Sequence, residues 1–129
     1  MSVETNLFLV IMRLAGAGSV QLVSSFALQY ENSKNPNIDN SSRIADLLRQ
    51  AGDHVQYDPT VLARAGELER HGILGMDAIH IACAEWVGAD FFISCDDKLI
   101  KKLQRIGNER IKVRFDNLID FVAREVFKL

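Results

Sequence analysis

The chain has 129 residues, of which 48% are hydrophobic and 25% charged, with a formal net charge of −2. These values are those of an ordinary globular domain that buries its own core. The slight acidity excludes a surface that attracts nucleic acid as a whole, so such binding would need a local basic patch or metal ions. No apolar run approaches the ~20 residues of a membrane span. The run from Leu7 to Leu14 is short and lacks a basic leader, so we expect a cytoplasmic protein.

The chain begins with a predicted helix over "LFLVIMRLAGAG", capped by Thr5 or Asn6. The β-rich stretch "SVQLVSS" then predicts a short strand. Ser24 or Ser25 can cap the helix that follows, "FALQYENSKN", which Pro36 closes.

Helices dominate the middle of the chain. The polar stretch "NPNIDNSS" is typical of a loop, and "SRIADLLRQAG" predicts an amphipathic helix with Ile44, Leu47 and Leu48 facing inward. A weak strand over "HVQYD" follows. Asp58 then caps a helix through "TVLARAGELERHG", with Pro59 at its first position.

The last part of the chain alternates helices with strands. "MDAIHIACAEWVG" predicts a helix stopped by Gly88, and the apolar "DFFISC" predicts a central strand. "DDKLIKKLQRIG" predicts a helix, "IKVRF" a strand, and "DNLIDFVAREVF" a last helix capped by Asp116. This order predicts an α/β fold with three layers, in which helices cover both faces of a central parallel sheet. We expect residues 1–129 to form a single domain.

The two cysteines, Cys83 and Cys95, lie in apolar runs without the spacing of zinc ligands. We therefore expect both to be buried and reduced.

Three carboxylates occupy positions from which they can share one cleft. Asp96 follows the strand "FFIS", Asp77 lies in the first turn of the preceding helix, and Glu31 lies in the helix after "QLVSS". Ligands of open α/β sheets bind beyond the carboxyl ends of the strands. Carboxylate oxygens suit Mg²⁺ or Mn²⁺, which would favour phosphodiester hydrolysis. The alternative is that Asp77, Asp96 and Asp97 only stabilise helix N-termini and Glu31 is merely solvated.

Other polar side chains have two interpretations each. The run from Lys98 to Arg114 is either a solvated face or a patch that guides phosphates; its other cations are Lys101, Lys102, Arg105, Arg110 and Lys112. His80 fits a core or cleft-edge histidine better than a catalytic one, and Trp86 fits packing better than base stacking. His54 and His71 are expected at the surface.

The stretch "GMDAIHIACAEWVGADFFISCDDKLIKK" resembles the C-terminal signature of PIN domains. The matching positions are Asp77, Ala78, His80, Ala82, Gly88, Ala89, Asp90, Ser94 and Asp96. "LVSSFALQYENSKNP" resembles the second motif of that family and assigns its acid to Glu31. The resemblance implies a Mg²⁺- or Mn²⁺-dependent ribonuclease, often the toxin of a toxin–antitoxin pair.

The resemblance also implies roles for individual residues. Asp77 and Asp96 would be catalytic and hold the metal, Glu31 would be a supporting catalytic acid, and Asp97 an accessory metal ligand. Lys98, Lys101 and Lys102 would then bind the RNA substrate, and an antitoxin protein would be the partner.

PIN domains begin with an apolar strand that ends in Asp, whereas only "MSV" precedes "ETNLFL" here. We expect that first strand and its acid to be absent, with Glu4 as the alternative stand-in. Another segment, a partner chain in a homodimer, or upstream residues would fill the gap.

Two functions stay open: an active ribonuclease, or a catalytically impaired PIN-like module acting through dimerisation or protein binding. A receiver-type phospho-acceptor using Asp96 and Asp97 is a third alternative, although such a pair normally follows the first strand of that fold.

Overall fold

The computed structural model describes Gly18 and residues 20–126 of the chain. Glu4 and the helix predicted from Leu7 onward lie outside the described residues. Contacts group the described chain into two compact units. One is Gln21–Ala89, called here the 21–89 unit; the other includes residues 90–126 and is called the 90–126 unit.

The 21–89 unit contains two strands and four helices. In chain order they are β1 (Val23–Ser25), α1 (Phe26–Ser33), α2 (Ile38–Arg49), β2 (Asp53–Val55), α3 (Pro59–Arg70) and α4 (Gly75–Val87). β1 and β2 pair in parallel, with Val23 opposite Asp53 and Ser25 opposite Val55. Helices α3 and α4 pack against each other. The core of the unit includes the fully buried Leu68 of α3, Ala78 and Ile81 of α4, and Ile73 of the loop between the two helices.

Several predicted helix ends of this unit are confirmed by local hydrogen bonds. The Ser25 hydroxyl accepts from the Leu28 amide at 3.0 Å and begins α1. Asp58 Oδ1 accepts from the Thr60 amide at 2.8 Å, with Pro59 at the first position of α3. Such caps satisfy amides that have no partner inside the helix.

The loop predicted over "NPNIDNSS" is confirmed only for residues 35–37, because α2 already begins at Ile38. Asn37 Oδ1 accepts from the Asn40 amide at 2.9 Å, and this cap starts the helix four residues before Ser42. The polar composition thus reflects an exposed first turn rather than a turn between elements. The predicted inward residues of α2 are only half-buried; they are Ile44, Leu47 and Leu48.

The 90–126 unit is built on a second pair of parallel strands. Its elements are β3 (Phe91–Ser94), α5 (Asp97–Ile106), β4 (Arg114–Asn117), the short α6 (Leu118–Phe121) and a π-helical turn at Val122–Val126. β3 and β4 run in register, with Phe91 opposite Arg114 and Ser94 opposite Asn117. The carboxyl ends of both strands therefore meet at one edge, and each leads into a helix.

Two predictions for the end of the chain are corrected. The strand predicted over "IKVRF" lies three residues later, at Arg114–Asn117. The last helix is capped by Asn117, whose Oδ1 accepts from the Asp120 amide at 2.8 Å, and not by Asp116. Asp116 is instead buried in β4, where the Arg124 guanidinium lies 2.6 Å from its carboxylate.

The chain is a mixed α/β protein whose strands are short and parallel. Within the described residues the strands form two two-stranded sheets, so the expected three-layer arrangement around one central sheet stays a prediction. β3 pairs only with β4 in this part of the chain, and its residues are half-buried. No helix among the described residues combines the length and apolarity needed to cross a bilayer.

Both cysteines are free thiols, as expected, but only Cys83 is buried. The prediction that Cys95 is buried is wrong, because it follows the end of β3 and lies at the surface. Trp86 is also more exposed than expected for a packing residue, at 54%. His54 and His71 are exposed, as predicted.

Candidate functional site

The two predicted site residues of the 21–89 unit lie on helices that contact each other, Glu31 on α1 and Asp77 on α4. Glu31 on α1 is joined to His80 on α4, with 3.3 Å between Oε2 and Nε2. The His80 side chain is only 12% exposed, whereas the Glu31 side chain is 57% exposed. A largely buried imidazole thus reaches a carboxylate at the surface. The prediction of a core or cleft-edge position fits this burial, and whether a cleft borders His80 stays a prediction.

Asp77 lies in the first turn of α4, three residues before His80. Residues at this spacing share one face of a helix. Leu74, which precedes α4, provides no side-chain cap, so Asp77 supplies the negative charge that a helix N-terminus favours. The position satisfies both interpretations of Asp77, the structural one and the functional one.

The Cys83 thiol on α4 interacts with the side chain of Ser25, the residue that caps α1. Burial raises the pKa of the Cys83 thiol, and the hydrogen bond with Ser25 offsets part of that effect. At neutral pH the Cys83 thiol is therefore protonated.

The helix that carries Asp77 and His80 is fixed to α3 by an ion pair that the sequence did not reveal. Arg64 Nε and Nη2 lie 2.7 and 3.1 Å from the two carboxylate oxygens of Glu85. Arg64 also contacts Glu67 on its own helix at 2.9 Å. The hydrogen bond with Glu85 is the main reason why the pKa of Arg64 is raised, against the opposing effect of burial.

In the 90–126 unit, Asp96 caps α5. Its Oδ1 accepts from the amides of Lys98 and Leu99 at 3.0 and 3.2 Å. The Ser94 hydroxyl in turn accepts from the Asp96 amide at 3.0 Å, which fixes the chain where it leaves β3. Asp97 is the exposed first-turn residue of α5. The predicted capping role of Asp96 is therefore confirmed. Only Oδ1 accepts the two capping hydrogen bonds, and Oδ2 of the exposed carboxylate takes no part in the cap.

A cleft of about 190 Å³ lies at the edge where β3 and β4 end. Its lining consists of Cys95, Asp97, Asn117, Leu118, Ile119 and Asp120. Sequence reasoning found only Asp97 of this group as a site residue. The parallel register, which sets Ser94 opposite Asn117, was the missing information, because it brings two distant strand ends side by side.

The predicted substrate-binding lysines all lie on α5. Lys98, Lys101 and Lys102, together with Arg105, line a broad groove of about 720 Å³. These residues are spaced three and four apart and therefore lie on one helix face. Four like-charged pairs at this spacing would destabilise the helix by about 1–2 kcal/mol in total.

The structure thus brings Glu31 to His80 and sets Asp77 on the same helix as His80, while Asp96 and Asp97 begin α5 in the other unit. The convergence of Glu31, Asp77 and Asp96 on one ion stays a prediction. Carboxylate oxygens are donors that suit Mg²⁺ or Mn²⁺. Within residues 20–126, no three His, Cys, Asp or Glu side chains are grouped so that they could hold a metal ion.

Comparison with known proteins adds no relative: no family model matches the sequence, and neither curated proteins nor solved structures gave a match.

Proposed function

We propose that this chain is a PIN-like, metal-dependent ribonuclease module that hydrolyses RNA phosphodiester bonds. The observation that carries the proposal is local: an acid in the first turn of α4, then β3, then the sequence Ser94–Cys95–Asp96 at the strand end. This is the order of elements that the PIN-like signature implies. Asp96 begins a helix at the carboxyl edge of a parallel strand pair, where α/β proteins bind ligands.

The candidate metal ligands are Asp77, Asp96 and Asp97, with Glu31 as a supporting acid. A bound Mg²⁺ or Mn²⁺ would supply an activated water and stabilise the leaving oxygen. The contact with His80 would hold the Glu31 carboxylate in one orientation, which a flexible exposed side chain does not keep alone. Ser94 would act in the same way on the backbone of Asp96.

Mn²⁺ titration and RNA cleavage, compared between the unmodified chain and Asp77→Asn, test this proposal. Asp39→Asn is the matched control, because Asp39 is an exposed first-turn acid of α2 and its loss perturbs a helix N-terminus in the same way. We expect Asp77→Asn to lose both Mn²⁺ affinity and cleavage, and Asp39→Asn to retain both. Absence of Mn²⁺ binding, with equal RNA cleavage by the chain and by Asp77→Asn, would reject the nuclease and favour the non-catalytic alternative.

A further inference from the structure

One face of α5 concentrates positive charge. We call Lys98, Lys101, Lys102 and Arg105 the basic stripe. The first and last of these residues are seven positions apart, so the stripe runs for about 10 Å along the helix, within an arc of about 100°. The opposite face of the helix is buried in the core of the unit and consists of Leu99, Ile100 and Leu103.

The exposed cations of the stripe have no carboxylate partner within the described chain. Lys98, Lys101 and Arg105 form no ion pair there. Asp97 lies four residues before Lys101 on α5, a spacing at which pairs can form, yet it forms no ion pair within the described chain. Three exposed cations that repel one another and form no ion pair, Lys98, Lys101 and Arg105, make a surface complementary to a polyanion.

We propose that the basic stripe binds the phosphate backbone of single-stranded RNA, without metal and without sequence preference. The inference deepens the proposed function and rests on it for the choice of RNA among polyanions. Neighbouring side chains of the stripe are about 5–6 Å apart, and a flexible strand can set successive phosphates against them. The apolar face of α5 is already buried, so the helix cannot insert into a lipid surface as an interfacial helix does.

The acids at the start of α5 make the two ends of the basic stripe unequal as phosphate sites. Asp96 and Asp97 are adjacent to Lys98 and oppose phosphate binding at that end when no cation is bound. Lys101 and Arg105 lie farther along the helix and are exposed. These two side chains should therefore carry most of the metal-independent affinity.

The test is the binding of a fluorescein-labelled oligouridine of about 12 nucleotides, followed by anisotropy in EDTA between about 50 and 200 mM salt. Three or four phosphate contacts predict that log K falls with log salt at a slope of about −2 to −3. The variant Lys101→Gln/Arg105→Gln should lose about half of that slope and at least about tenfold in affinity at low salt. It should also unfold at the same or a higher temperature, because it removes like-charge repulsion.

The matched control is Lys34→Gln/Arg43→Gln, which removes two exposed cations from the 21–89 unit. We expect this variant to bind RNA as the unmodified chain does. Equal losses of RNA affinity in both variants would overturn the proposal that the basic stripe binds RNA, because the affinity would then depend only on the total charge of the protein. Equally tight binding of polyglutamate, or of vesicles containing phosphatidylserine, would overturn the assignment to RNA.

Failure of the stripe and failure of the nuclease are distinguishable, since the binding assay contains no divalent cation. RNA binding that is lost selectively in Lys101→Gln/Arg105→Gln upholds the stripe even if no Mn²⁺-dependent cleavage is found. Cleavage that depends on Asp77, with RNA affinity unchanged in that variant, would overturn the stripe and leave the nuclease in place.

Discussion

The ion pair between Arg64 and Glu85 should be the strongest polar contact between α3 and α4. The Glu85 side chain is 7% exposed and Arg64 is 22% exposed, and two hydrogen bonds join them. Glu85→Gln keeps the shape of the side chain but leaves a largely buried guanidinium without its main partner. Breaking a fully buried pair costs about 3–5 kcal/mol. Arg64 is partly exposed and keeps Glu67, so we expect a loss of about 2–3 kcal/mol.

Glu67→Gln is the control, because its side chain is 51% exposed and it contacts the same arginine at 2.9 Å. An exposed pair at this spacing is worth only about 0.3–0.5 kcal/mol. Urea unfolding of the three proteins measures the difference in the free energy of unfolding, and thermal unfolding should show a decrease of about 10 °C in Tm for Glu85→Gln. The raised pKa of Arg64 keeps it charged at every pH of the assay, so the loss reports the missing partner. Equal stability of the two variants would refute the argument that burial makes this pair strong.

Three further predictions concern single side chains. Ser25→Ala should destabilise the chain by about 1 kcal/mol, because it removes the cap of α1. Ser24→Ala should be neutral or stabilising, since the buried Ser24 hydroxyl has no hydrogen-bond partner among the described residues; urea unfolding of both variants compares them. Gly88 ends α4 at φ 71°. Gly88→Ala should lower the free energy of unfolding by about 1–2 kcal/mol and Gly88→Asn by less, as measured by thermal unfolding. A thiol reagent should modify exposed Cys95 in the folded protein and buried Cys83 only on unfolding. Because the pKa of Cys83 is raised from about 9.0, folding stability should fall as pH rises above that value, and Cys83→Ala should lessen the fall. Equal cost of the two serine substitutions, equal stability of the Ala and Asn variants, or equal thiol rates would contradict the respective arguments.

Part of the candidate site could be predicted from the sequence, and part could not. The sequence predicted Asp77 in a first helical turn and Asp96 just after a strand, and both positions are confirmed. It did not predict the contact of His80 with Glu31, which joins residues 49 positions apart. It also missed Asn117 and Asp120 beside Asp97. Those contacts depend on how helices and strands pack, and periodicity along one element carries no information about its neighbour.

Local chemistry by itself determined the starts of three helices in the described chain. A hydroxyl or carboxylate at Ser25, Asp58 or Asp96 satisfies amides only two or three residues away, so its effect is readable from adjacent letters. Tertiary structure alone decided that Asp116 is buried against Arg124 and that Asn117 begins the last helix. Both residues can cap a helix, and the choice between them depends on which side chain the parallel register of β4 turns inward, a property that arises only when the strands pair.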